Sequence, residues 1–74
     1  NGFAMDAPFH CPEFTVRLAA QPSQAPRIIQ QEAVTPMELV SSPLNLKAGT
    51  WCRQDAEIFA CFNLPKGKSR LELV

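Results

Sequence analysis

Four side chains of this 74-residue chain have the chemistry of metal ligands: His10, Cys11, Cys52 and Cys61. Structural zinc sites present ligands in pairs about two to four residues apart on a knuckle. Here His10 adjoins Cys11, and Cys52 and Cys61 are far apart by that measure. Burial as small hydrophobes accounts for the three thiols without a metal, and no metal or other cofactor is assigned. A thiolate nucleophile needs an oriented base beside it. The single histidine, His10, is next to Cys11, but adjacent residues of an extended chain point to opposite sides. The seven carboxylates are scattered, with no pair spaced for acid–base work, and there is no tyrosine. No catalytic residue is assigned, and the balance is against an enzyme.

Two sets of residues suggest binding instead. Lys66-Gly67-Lys68-Ser69-Arg70 places three cations within five residues of a proline–glycine turn. Lys66, Lys68 and Arg70 are therefore candidates to hold a nucleic-acid phosphate, with Trp51, Phe59 and Phe62 as stacking surfaces. Against this stand a net charge of zero and the need for Phe59 and Phe62 in a core. A lysine-bearing turn is also ordinarily just a solvated one. The second set is apolar. Trp51 lies among the polar residues Thr50 and Arg53, and it is either the centre of the core or an anchor for a partner. The arm with Phe3, Phe9 and Pro8 could dock in a neighbour's groove.

These residues must be positioned by a small scaffold. The length allows one domain, and such a chain buries only about 60% of its unfolded surface, so oligomerisation is a common source of added stability. The apolar fraction of 46% is that of a folded chain and not a disordered one. The longest apolar run, Glu57 to Phe62, is strand-sized and far short of the ~20 residues that cross a bilayer, so no membrane partner is expected. No basic segment followed by an apolar one marks a signal peptide. Three cysteines are an odd set for a secreted disulfide scaffold, so all three read as reduced and the localisation as cytoplasmic. Met5-Asp6-Ala7-Pro8 has the form of a native start, with residues 1–4 an expression remnant; a fragment of a longer protein reads equally well.

Along the chain, residues 1–13 read as an extended N-terminal arm and residues 14–74 as one small β-rich domain. Phe14-Thr15-Val16-Arg17-Leu18 alternates apolar and polar, the period of a half-buried strand. Ala19 to Pro26 is a proline-punctuated loop. Arg27 to Val34 reads as one strand on its paired isoleucines. Thr35-Pro36-Met37-Glu38 has Thr at the N-cap, Pro at N1 and Glu at N3, which predicts one short helix over residues 36–42, ended by Pro43. Leu44-Asn45-Leu46 alternates, and Lys47-Ala48-Gly49 is a turn. Thr50 to Gln54 and Glu57 to Phe62 are strands, the latter apolar on both faces and therefore central. With Asp55 as an N-cap that run could instead be a helix, giving an α+β fold. Leu64-Pro65-Lys66-Gly67 is a type I turn, and Ser69 to Val74 a last strand.

The pattern predicts a mostly β fold, a small barrel or compact antiparallel sheet with one short helix. The expected function is a non-catalytic binding or assembly module that self-associates, or binds another protein, through an apolar surface near Trp51, Phe9 and Phe3. The alternatives are a barrel binding nucleic acid through its basic turn, and a small-molecule module with a pocket in the barrel or between subunits.

Overall fold

The computed structural model describes residues 2–74. Its strands are β1 (Gly2–Ala7), β2 (Cys11–Ala19), β3 (Pro26–Gln30), β4 (Ala33–Pro36), β5 (Glu38–Leu39), β6 (Thr50–Gln54), β7 (Glu57–Leu64) and β8 (Gly67–Leu73). They form two four-stranded sheets, ordered β1-β8-β3-β4 (sheet I) and β2-β7-β6-β5 (sheet II). All neighbours are antiparallel except β5 and β6, which are parallel.

The period-two pattern explains the core. Ile28, Leu71 and Leu73 from sheet I meet Trp51, Ile58, Ala60 and Phe62 from sheet II in one buried cluster, and Met37 joins it from the link between the sheets. The chain is thus a two-layer β fold. Glu57 to Phe62 is central as its apolar faces demand: β7 lies between β2 and β6. Its second face is covered as well. A parallel pair needs a crossover, and the residues between β5 and β6 supply it. The Thr50 hydroxyl donates to the Lys47 carbonyl at 2.7 Å and accepts from the Lys47 amide at 2.9 Å. Those bonds hold the crossover against the face that carries Thr50 and its cross-strand neighbour Cys61, both buried.

Three expectations are corrected. The sheets do not close into a barrel. The chain passes between the edge strands through Pro8-Phe9-His10 on one side and through Met37 alone on the other, and no ladder joins β1 to β2 or β4 to β5. The helix over residues 36–42 is absent. Pro36 ends β4 opposite Arg27, and Glu38 pairs with Thr50. A cap is worth about 1 kcal/mol, and it loses to ladder pairing that also buries Met37. Pro43, expected to end that helix, instead opens a single 3-10 turn, Pro43–Asn45, whose Leu44 amide donates to the Ser42 hydroxyl at 3.2 Å. Arg27 to Val34 is a hairpin and not one strand. Gln31 and Glu32 turn it with φ of 51° and 68°, left-handed values that Asn-Gly would signal and Gln-Glu does not. Residues 2–7, read as an arm, are extended and paired along β8.

Candidate functional site

Trp51 lies on the inner face of β6 opposite Ala60 and is 5% exposed, so its ring belongs to the core and offers no surface to a partner. Arg53, two residues on, sets its guanidinium carbon 5.2 Å from the Trp51 ring centroid. The same guanidinium donates to the carbonyls of Gln21 and Gln24, which ties down the β2–β3 loop. Of the polar neighbours that made Trp51 resemble an anchor, Arg53 is a cation on the buried ring, and Thr50 is buried on the opposite face with its hydroxyl bonded to Lys47.

The phenylalanines are placed differently. Phe3 stands on β1 opposite Leu71 and is 38% exposed. Phe14 stands on β2 opposite Phe62, 37% exposed, with ring centroids 5.9 Å apart in an edge-to-face contact. Phe9, 64% exposed, is in the link between these strands. Three of the chain's five phenylalanines therefore line one continuous stretch: edge strand, link, edge strand. The sequence offered Phe3 and Phe9 as apolar candidates. It assigned Phe14 to a buried face, since alternation shows which face a residue takes but not whether its strand lies at an edge.

The basic run converges only in part: Lys68 and Arg70 border one open hollow together with Glu32, and Lys66 does not line it. The turn shortens to Pro65 and Lys66 between β7 and β8, while Lys68 and Arg70 lie in β8 itself, opposite Asp6 and Ala4. An extended strand spaces such residues along its length rather than curling them around an anion. Arg70 Nε is also 3.3 Å from Glu72, whose other contact is with Arg27 at 2.8 Å. The Arg27 guanidinium holds the Glu72 carboxyl below its ordinary value, against a smaller upward push from burial.

The cysteines are free. Cys52 pairs in register with Phe59 and Cys61 with Thr50, so the two thiols are diagonal rather than opposite. Burial pushes the Cys52 thiol up, and a hydrogen bond with the Phe59 main chain opposes it. Among the described residues no three His, Cys, Asp or Glu side chains gather as metal ligands would, and no helix is long and apolar enough to cross a membrane. The surface hollows are open depressions, such as one lined by Leu39, Val40, Ser41 and Arg53. No family model, curated protein or solved structure matches the chain.

Proposed function

We propose that this chain is a non-catalytic assembly module that self-associates through an apolar surface, the one formed by Phe3, Phe9 and Phe14. The observation that supports this reading is the run of partly exposed phenylalanines along β1, the link and β2, beside two strand edges without a hydrogen-bonding partner. Covering these rings would remove apolar area from water and add to the limited core that so short a chain can build. The solution mass of the full chain, measured by light scattering under reducing conditions over a range of concentrations, tests it. The expected result is a mass that rises with concentration to a dimer or a higher closed assembly, and that falls back for Phe9→Ser. A mass that stays at the monomer value throughout overturns it.

A further inference from the structure

Resting on that assembly reading, we propose how the copies join: β2 pairs antiparallel with β2 of a second copy about a two-fold axis at Val16, merging two four-stranded sheets into one of eight.

The main chain of β2 is available for this. The Ala20 amide donates to the Ala56 carbonyl at 3.1 Å, continuing the β2–β7 ladder beyond Ala19 and Glu57. Hydrogen-bonded positions in an antiparallel ladder recur every second residue. Leu18, Val16 and Phe14 therefore direct their amides and carbonyls to β7, while Thr15, Arg17 and Ala19 direct theirs outward at the sheet edge. The stretch has a built limit. The register slips between Cys11 and Phe14, Pro12 has no amide, and Glu13 is left-handed at φ 51° with its amide spent on the Asn63 side chain at 3.0 Å. Such a bulge ends pairing, which leaves Phe14 to Ala19 as the free segment.

The side chains select the register. Outward pairing between two copies can centre on Thr15, Val16, Arg17 or Leu18, and centring on Leu18 uses only the three residues Arg17 to Ala19. Centring on Arg17 sets two guanidiniums directly opposite one another, which is unfavourable. Centring on Thr15 runs into the bulge at Glu13 and uses only three residues. Centring on Val16 uses Phe14 through Leu18. It sets Phe14 beside the partner's Leu18, Val16 beside the partner's Val16, and Thr15 beside the partner's Arg17. The apolar row is the inner one, in which Val16 and Leu18 are only half-buried and Phe14 is over one-third exposed. The solvent row then holds one cation against one hydroxyl in each pair, and no like charges face each other.

Sedimentation equilibrium of the full chain and its Thr15 variants tests this. Thr15 is exposed, so its substitution leaves the core intact. Thr15→Arg would set two Arg–Arg pairs across the two-fold axis and weaken dimerisation about tenfold. Thr15→Glu would replace both with ion pairs and tighten it by a few-fold, with the gain lost at high salt. Combining Thr15→Arg with Arg17→Thr restores the original pairing and the original affinity. If the chain dimerises and these variants leave its affinity unchanged, β2 pairing is overturned while assembly through another face stands. If the chain is monomeric at every concentration, both this inference and the assembly reading fall.

Discussion

The two open sides of this fold are built differently. On one side lie β1, six residues, and β2, nine residues, with Phe3, Phe9 and Phe14 along them. On the other lie β4, four residues ending in Pro36, and β5, two residues opening with Glu38. The second side shows the usual protections of a sheet edge: short strands, a proline and a charge. The first side has a single bulge at its start and then a free run. The longer and more apolar side is the less protected one: its bulge and Pro12 guard only the start of β2, and Arg17 is the one charge in the run that follows.

The largest test strikes what both sides share. Leu71 is fully buried in β8 and pairs with Phe3 on β1 and Ile28 on β3, so it supports the long edge directly and the short one through the next strand. Leu71→Ala should cost about 2–5 kcal/mol, enough to unfold much of so small a domain in a thermal melt. If it melts within a few degrees of the parent, the shared core is not where the stability lies. Next comes a direct contrast. Phe14→Ala removes the edge-to-face contact with Phe62 and should cost about 1–2 kcal/mol in urea unfolding. Leu39→Ala, at a side chain 60% exposed, should stay within about 0.5 kcal/mol. Equal costs would mean that the two sides are energetically alike.

A smaller effect is local. A Cβ at Gly2 would run into the Leu71 carbonyl oxygen, a backbone atom that can give way only if the strand moves. Gly2→Ala should peel the start of β1, at about 1 kcal/mol. Hydrogen exchange should then quicken in β1 and remain unchanged in β4. The smallest effect concerns the row that crosses sheet I from side to side: Gly2, Glu72, Arg27 and Pro36. Glu72 holds its proton less tightly in the folded chain than in the unfolded one. Its contribution is therefore present above the ordinary carboxylate pKa and is lost as pH falls through that range. Glu72→Gln should flatten the acid side of the melting temperature against pH, and an unchanged curve would show that the Arg27 pairing carries no stability.

The sequence showed the strands more clearly than their partners. Thr50 to Gln54 was legible residue for residue, and Glu57 onward was legible as central, because alternation and two-sided apolarity are local properties. The hairpin at Gln31-Glu32 was not legible, since its left-handed residues are held by the flanking ladder and not by their own preference. The helix after Thr35 was misread because a capping signature states only what a segment would do if nothing better were available. Of the candidate surface, the sequence shows Phe3 and Phe9 as apolar residues of one stretch, Phe9 beside Pro8. Trp51 was open to two readings that only burial separates.

Taken alone, the order of apolar and polar residues, with Pro and Gly between them, determined that this chain is mostly β. Strands such as β3 and β8 alternate buried and more exposed residues, and that period is written in consecutive residues. Which strands became edges, which sheet each joined, and which side was left open were decided by contacts between residues far apart in the chain. Those contacts weigh Met37 against a helix and Leu71 against Phe3, and no local pattern carries such a sum.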